Sequence, residues 1–457
     1  MEKQNVWMKR KNALTEVDKF AEEYKIFVSK CKTERECVSE FSEFAKAKGF
    51  KNLASVIASG EKLLPGSKVY ATHMGKTMIL FVVGREGIEA GMNITGAHVD
   101  SPRLDLKPNP LYEKEKLAMF ETHYYGGIKK YQWVAHPLAL HGVVCKKSGE
   151  TINICIGENA KDPVLGVSDL LIHLSQKQLE KKGSEVVTGE DLKVMVGSIP
   201  LENEEKGAGK KAILNILKEK YDIDENDFLS AELTLVPAGP ARDYGIDRSM
   251  IMAYGHDDRV CAYPAVRAIA DLDVPLHTCA CVLTDKEEIG SVGATGAMSR
   301  FFENSVADLL SALGVYDELR LRRVLQNSRM LSADVTAAFD PNYPDVMEKN
   351  NCGYAGQGLA FNKYTGSRGK SGASDANAEF VAKIRKIMDD ANVSYHINEL
   401  GKVDQGGGGT IAYIMANYGM DVIDCGVPVF NMHAPWEIIS KIDLYETLKG
   451  YEAFYLN

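Results

Sequence analysis

The sequence has no strongly basic region, no Cys-x-x-Cys pair and no long apolar run, and each absence excludes a class of protein. The 457-residue chain has a net charge of −9, whereas nucleic-acid binding usually needs clustered Lys and Arg to displace counterions from phosphates. Nine scattered cysteines, an odd number, argue against a zinc ribbon and against a disulfide framework. No window reaches the roughly 18 apolar residues of a membrane helix, and the polar segment Met1–Lys11 lacks the apolar core of a signal peptide. We therefore expect a protein of the reducing cytoplasm that binds neither nucleic acid nor membrane.

The length of the sequence and the changes in its hydrophobic pattern predict two domains. Single cores stop growing near roughly 250–300 residues, and this chain is longer. Up to about Gly60 the sequence has helical periodicity, and after Met250 short apolar runs alternate with helical segments. This alternation predicts an α/β sheet with helices on both faces. Between them the pattern is mostly strand-like. We predict a catalytic α/β domain in two parts, 1–106 and 237–457, interrupted by an inserted β-rich domain at 107–236.

Polar side chains follow apolar strands at five places, where open α/β sheets gather their ligands. The five segments are Gly96–Pro102, Gly255–Arg259, Thr284–Gly290, Ser332–Asp334 and Asn431–Pro435. A single histidine beside a strand, or a Glu-Glu pair, is usually an ordinary core or surface feature. Together, however, these segments supply the imidazole nitrogens and carboxylate oxygens that a hydrolytic pair of metal ions requires.

Three local patterns indicate roles within such a centre. His98 and Asp100 lie two residues apart on an extended chain, so Asp100 is placed to hold the non-ligating nitrogen of the His98 ring. The adjacent carboxylates of Glu287 and Glu288 repel unless a cation or a proton is shared, so one suits a ligand and the other a general base. A glycine run ending at Gly409 precedes a predicted helix at Thr410–Tyr418, where backbone N–H groups suit a substrate carboxylate or carbonyl. A flexible turn is an equally good interpretation of that run.

The order of these motifs resembles the M18 family of metalloaminopeptidases, the aspartyl aminopeptidase family, and within it the bacterial aminopeptidase 1 branch. The resemblance spans nearly the whole chain and rests on His98-Val-Asp100, Asp257-Asp258, Glu287-Glu288-Ile-Gly290, Ser332-Ala-Asp334 and Met432-His433. It implies a mixed-sheet exopeptidase domain with a dinuclear metal site, interrupted by a dimerisation domain. It also implies peptide substrates with free N-termini, two divalent ions per subunit (zinc, with cobalt or manganese as alternatives), and homodimers that assemble into a tetrahedral dodecamer.

The resemblance also implies a role for individual residues. The metal ligands it implies are His98, Asp257, Glu288, Asp334 and His433, with Asp257 bridging the two ions. Glu287 would be the general base and Asp100 the support for His98. His173, in a helical stretch predicted at Ser168–Lys181, would take part in catalysis and bind substrate in a neighbouring subunit's active site. From the sequence alone, a buried packing histidine is the alternative.

Two other functions fit the same residues. A two-metal deacylase or carboxypeptidase uses the same ligand set, and a basic pocket for a C-terminal carboxylate would distinguish it. A catalytically silent assembly or cargo protein would keep metal ligands for stability. The spare carboxylate of Glu287 argues against the second, because a structural site has no use for a base.

Overall fold

The computed structural model describes residues 5–457, and the first four residues of the polar N-terminal segment lie outside that range. The chain divides into two compact units. The first contains the residues up to Asp100 together with Ala241–Met432 and Glu437–Asn457, and the second contains Ser101–Pro240 and His433–Trp436. The inserted domain was predicted at 107–236. The second unit starts at Ser101, ends at Pro240 and also includes the short segment His433–Trp436.

Twelve α-helices form within residues 5–457. They are α1 Val6–Lys9, α2 Leu14–Lys30, α3 Glu34–Ala47, α4 Leu53–Ser59, α5 Gln176–Leu179, α6 Ala208–Tyr221, α7 His256–Ala270, α8 Phe301–Ala312, α9 Glu318–Asn327, α10 Ala378–Asp390, α11 Ala412–Ala416 and α12 Lys441–Tyr455. Four helices precede Gly60 where two or three were predicted, because side-chain caps from Asn5 and Asn52 start two short ones. Across the same residues, no helix combines the length and apolar character needed to cross a membrane.

The strands of the described residues form three sheets. They are β1 Lys51–Asn52, β2 Lys68–His73, β3 Thr77–Val82, β4 Met92–His98, β5 Arg103–Lys114, β6 Leu117–Tyr125, β7 Leu138–Cys145, β8 Thr151–Ile156, β9 Gly166–Val167, β10 Val194–Gly197, β11 Ala231–Pro237, β12 Arg242–Tyr244, β13 Met250–Ala253, β14 Thr278–Thr284, β15 Arg329–Ala333, β16 Thr336–Ala337, β17 Leu359–Asn362, β18 Tyr395–Asn398, β19 Asp421–Gly426, β20 Pro428–Phe430 and β21 Glu437–Ser440.

The first unit is built on a mixed sheet of nine strands in the order β1-β2-β3-β14-β4-β15-β19-β17-β18. Strands β14, β4, β15 and β19 run parallel to one another, whereas β3 and β17, on either side, run antiparallel to this central group. The carboxyl ends of the central strands therefore meet at one edge of the sheet. The predicted α/β fold with a mixed sheet is confirmed. A smaller sheet of five strands, β12-β13-β21-β20-β16, belongs to the same unit.

Alternating side chains of the central strands bury both faces of the large sheet. On β3, Leu80 packs with residues of α2, α3, α7 and α12, while its neighbour Phe81 packs with residues of α4, α8, α9 and α11. Continuous apolar runs are the expected signature of strands covered on both sides. The central strands, which carry the polar residues at their ends, are thus held in place by helices on both faces of the sheet.

The second unit contains a seven-stranded sheet in the order β8-β7-β11-β5-β6-β10-β9, with antiparallel pairing throughout. The prediction of a helix at Ser168–Lys181 is wrong, because only a 3₁₀ turn at Ile172–Leu174 and the single turn of α5 form there. The apolar residues Leu170, Leu171, Ile172 and Leu174 are crowded together rather than spaced along one helical face, so burying one face gives no stabilisation to a longer helix.

Candidate metal centre and active site

Three neighbouring parallel strands deliver the first candidate residues to one edge of the large sheet. Strand β4 ends at His98, which is in register with Thr284 at the end of β14. Strand β15, on the other side of β4, ends one residue before Asp334. The loop after β14 carries Glu287 and Glu288 in a 3₁₀ turn. The sheet register therefore collects an imidazole and several carboxylates from distant parts of the sequence.

His98, Asp257 and Asp334 form a compact group of possible metal ligands. One ligand atom of each lies within 4.8 Å of the others. His98 Nε2 is 3.2 Å from an oxygen of Asp257, and the opposite ring atom, Nδ1, is 3.0 Å from the backbone carbonyl oxygen of Asp100. Because a carbonyl only accepts, Nδ1 donates to Asp100, and Nε2 is the nitrogen that faces the carboxylates of Asp257 and Glu287.

Asp100 joins the two loops that carry this chemistry. Its buried carboxylate lies 3.3 Å from His98 Nδ1. The same carboxylate accepts the backbone N–H groups of Glu287, at 3.2 Å, and of Glu288, at 3.3 Å. One side chain thus fixes the His98 ring and the main chain of the Glu287–Glu288 loop together.

Glu287 and Glu288 have different neighbours in this arrangement. Glu287 Oε2 is 3.9 Å from His98 Nε2, and the Glu287 side chain is 15% exposed. A carboxylate oxygen of Glu288 lies within 4.8 Å of one of Asp257. Asp257 therefore belongs to two sets of ligand atoms, one with His98 and Asp334 and the other with Glu288.

The electrostatics of the group fit a bound cation. Burial and the neighbouring carboxylates of Asp258 and Glu287 hold the pKa of Asp334 well above its usual range. Burial lowers the affinity of the His98 ring for a proton, but hydrogen bonds to Asp100 and Asp257 raise its pKa overall. Several carboxylates thus concentrate negative charge around one imidazole, and a divalent ion would relieve their repulsion. Nitrogen and oxygen donors without thiolate suit zinc, cobalt or manganese.

Comparison with known proteins identifies the family. The sequence model described as "Aminopeptidase I zinc metalloprotease (M18)" matches residues 27–455. The chain belongs to the M18 family. The "Probable M18 family aminopeptidase 1" of Clostridium acetobutylicum is 59% identical, over 100% of this chain and 98% of that protein. The crystal structure of an M18 aminopeptidase from Thermotoga maritima is 46% identical, with a TM-score of 0.96 over 100% of this chain and 99% of that one. A yeast relative solved as a dodecamer is 22% identical, with a TM-score of 0.76 over 95% and 96% of the two chains.

This M18 protein is therefore an aminopeptidase, a hydrolase of the zinc metalloprotease class, as the order of its motifs predicted. Family membership favours that activity over the deacylase, carboxypeptidase and cargo-protein alternatives.

The remaining predicted site residues of the M18 enzyme are His433, Gly409 and His173. His433 belongs to the second unit, where its Nδ1 donates to the carbonyl of Gly127 at 2.7 Å. Gly409 is an exposed residue of the loop before α11. The helix predicted at Thr410–Tyr418 is shorter than expected and spans Ala412–Ala416. The Thr410 hydroxyl precedes it, where it accepts the Ala412 N–H at 3.2 Å and donates to Asp424 at 2.7 Å.

His173 is exposed, so its interpretation as a buried packing histidine is wrong. Its neighbours Leu171, Ile172 and Leu174 are 54%, 68% and 68% exposed. This apolar surface of the second unit belongs to no core within the described residues of the single chain.

Sequence reasoning missed Glu437. This buried residue begins β21, and its Oε2 accepts the backbone N–H of Asp257 at 3.0 Å. The only signal in the sequence was an acidic residue four positions after His433, at the start of an apolar run.

Proposed function

We propose that this M18 aminopeptidase removes the N-terminal residue of peptides with two divalent ions and with Glu287 as the general base. The observation that supports this most is the convergence of His98, Asp257 and Asp334, with Glu287 Oε2 only 3.9 Å from His98 Nε2. The two ligand sets that share Asp257 support two ions, with Asp257 bridging them. One ion would be held by His98 and Asp334, and the other by Glu288 and, from the sequence motif, by His433.

The proposed mechanism gives Glu287 the proton transfers. When bound, the ions lower the pKa of water and polarise the substrate carbonyl. Glu287 takes the proton of the attacking water and returns it to the leaving amine. Asp100 supports this role by holding the Glu287 backbone N–H and the His98 ring. The mostly buried position of Glu287 limits exchange of that proton with bulk solvent.

Release of one residue at a time requires recognition of the free α-amine. The carboxylates around Asp257 and Glu288 supply negative charge for that ammonium group. The loop ending at Gly409 is the proposed contact for the substrate backbone. The space beside Gly409 is open, because no atom other than those of its chain neighbours lies within 4 Å of the position that a Cβ would take.

Chelation should abolish activity, and metal should restore it. We expect a panel of aminoacyl chromogenic substrates to be hydrolysed by the enzyme as isolated, to fall to background after chelation and dialysis, and to recover best with zinc, cobalt or manganese. The matched controls are the same substrates with an acetylated N-terminus, which should resist cleavage. Release of C-terminal residues from N-blocked peptides would contradict the proposal and favour a carboxypeptidase.

A reducing compartment, the cytoplasm, is part of the same proposal. All nine cysteines are free thiols, and seven of them are buried. Buried cysteines act as small apolar core residues. Burial alone raises the pKa of Cys279, and it raises that of Cys281 to about 12, so both stay protonated and unreactive.

We further propose that the second unit forms a dimer that brings His173 to a partner's active site. The exposed apolar residues Leu171, Ile172 and Leu174 on both sides of His173 support an interface there. The yeast dodecamer supports higher assembly, and the proposed arrangement is six dimers with tetrahedral symmetry. In that position His173 donates a hydrogen bond to the oxyanion that forms as water attacks.

Mixed dimers test delivery in trans. We expect His173→Ala and Glu287→Gln each to be nearly inactive alone, since one oxyanion donor contributes about 10²–10³ in kcat. In a mixed dimer one active site lacks both groups, whereas the other has its own Glu287 and the partner's intact His173. A 1:1 mixture should therefore recover roughly a quarter of wild-type activity if subunits pair at random.

The exposed His123, on β6 of the same unit, provides the control. His123→Ala should keep wild-type activity, which shows that loss of a surface imidazole is harmless by itself. An inactive mixture, from chains shown by labelled pull-down to exchange subunits, would refute delivery in trans.

A further inference from the structure

The segment that presents Asp257 does not follow regular helical geometry. Gly255 has φ of 72°, and although α7 is assigned from His256, Asp257 and Asp258 have non-helical angles of φ −76°, ψ 108° and φ −113°, ψ 24°. Backbone N–H groups at the start of a helix have no acceptor within the helix. Since this segment is buried, each such donor needs an acceptor from elsewhere in the fold.

Glu437 supplies the acceptor for Asp257. The strand β21 pairs antiparallel with β13, and Glu437 lies opposite Ala253, four residues before Asp257. This register places the Glu437 side chain beside the chain as it leaves β13, and Oε2 accepts the Asp257 N–H at 3.0 Å. Glu437 is only 1% exposed, and burying a carboxylate is costly unless hydrogen bonds compensate it.

The neighbours of Asp257 are fixed from other directions. The ring of His256 is neutral, because burial lowers its pKa to about 3. Its Nε2 donates to the Ile251 carbonyl at 3.1 Å, so its Nδ1 accepts the Tyr24 hydroxyl at 2.8 Å. On the other side, Arg259 donates to the carbonyl of Val99, between His98 and Asp100, at 3.3 Å. Of these contacts, the one from Glu437 acts on the metal-ligand residue itself.

We propose that Glu437 is a positioning residue that holds Asp257 ready for metal binding before any ion arrives. The hydrogen bond fixes the backbone of Asp257, and with it the direction of the carboxylate that lies 3.2 Å from His98 Nε2. Residues that orient ligands in this way typically contribute 10–100-fold to metal affinity. The inference rests on the proposed role of Asp257 as a metal ligand.

The test measures metal affinity directly on metal-free protein, by competition with a chromophoric chelator. Glu437→Gln keeps an acceptor for the Asp257 N–H, and we expect its affinity to stay within about threefold of wild type. Glu437→Met has similar size but no acceptor, and we expect a loss of about 10–100-fold. Hydrogen exchange of the 254–260 backbone should also be faster in metal-free Glu437→Met than in Glu437→Gln. Equal affinities for wild type and Glu437→Met, or equal losses in both variants, would overturn the proposal.

Asp443 offers a matched control in the same unit. It too is a fully buried carboxylate, and it accepts two backbone N–H groups, from Gly356 and Gly358, each at 2.7 Å. Asp443→Leu should lower the free energy of unfolding while leaving metal affinity unchanged. A loss of affinity equal to that of Glu437→Met would show that general destabilisation explains both, which would also overturn the proposal.

Two further outcomes remain informative. If Glu437→Met does not fold, Glu437→Asp replaces it in the test. The Asp carboxylate is one methylene too short to reach the Asp257 N–H, so wild-type metal affinity in Glu437→Asp would overturn the proposal.

The Asp257→Ala variant separates this inference from the proposed function. Loss of metal in Asp257→Ala but not in Glu437→Met refutes the positioning role alone, whereas retention of metal in Asp257→Ala refutes the ligand assignment beneath it.

Discussion

Replacing Glu287 with Gln is expected to leave metal content unchanged and to lower kcat by about 10²–10⁴-fold. Gln has nearly the same shape as Glu, so the loop held by Asp100 through the backbone should keep its position. The amide cannot accept the proton of the attacking water, and this is the step that the variant removes. Because substrate binding does not need that proton transfer, KM should change little. Metal analysis and steady-state kinetics on the same preparation measure both effects.

The adjacent residue provides the matched control for this variant. Glu288→Gln makes the same chemical change one position along the chain, where a carboxylate oxygen lies within 4.8 Å of Asp257. We expect Glu288→Gln to bind metal more weakly and to regain part of its activity at high metal concentration. Glu287→Gln should not respond to added metal. If Glu287→Gln instead lost its metal along with its activity, Glu287 would be a ligand and another group would be the base.

The strands and the residues at their ends could be predicted because both depend on local sequence. The run Met78–Val83 is apolar at every position, which is the signature of a strand buried on both faces, and all of it but Val83 lies in β3. His98 and Asp334 follow similar apolar strands. Parallel strands then bring their carboxyl ends together at one edge, so the location of the site followed from the fold class.

The helical pattern was less informative in the second unit. The apolar residues Leu170, Leu171, Ile172 and Leu174 suggested a helix, but they lie exposed around a single 3₁₀ turn. Conversely, α6 forms at Ala208–Tyr221, after a segment whose Lys, Glu and Gly content hid its start. A cluster of apolar residues indicates a surface that is buried in the functional protein. It does not indicate whether the same chain or another chain buries that surface.

The sequence predicted that Asp100 supports the His98 ring, two residues away, but it could not predict the contacts that join side chains to backbone groups far away in the sequence. Asp100 accepts N–H groups of Glu287 and Glu288, and Glu437 accepts that of Asp257. A sequence shows which side chains can accept, but the donors without partners appear only when the chain departs from regular geometry, as it does at Asp257. These long-range contacts to the backbone were therefore visible only in the structure.

Replacing Asp257 with Ala is expected to weaken both metal sites, because Asp257 is the residue that the two sets of ligand atoms share. In the wild type, metal bound only to the folded state stabilises it, by about 4 kcal/mol at a free concentration 1,000 times Kd. Metal-free wild type should therefore show a large upward shift of Tm on adding zinc, and Asp257→Ala should show little or none. Activity should fall to background with the metal.

The sign of the effect on metal-free protein makes this prediction specific. Asp257 is one of the carboxylates whose charge raises the pKa of Asp258 and Asp334, so its removal relieves repulsion. We expect metal-free Asp257→Ala to unfold at or above the Tm of metal-free wild type, and its loss of metal cannot then be ascribed to a damaged fold. Asp243→Ala is the control, since it breaks ion pairs with Lys25 and Lys441 in the same unit and should lower Tm while keeping the full shift with zinc. Two tightly bound ions per chain in Asp257→Ala, with a wild-type shift of Tm, would refute the bridging role.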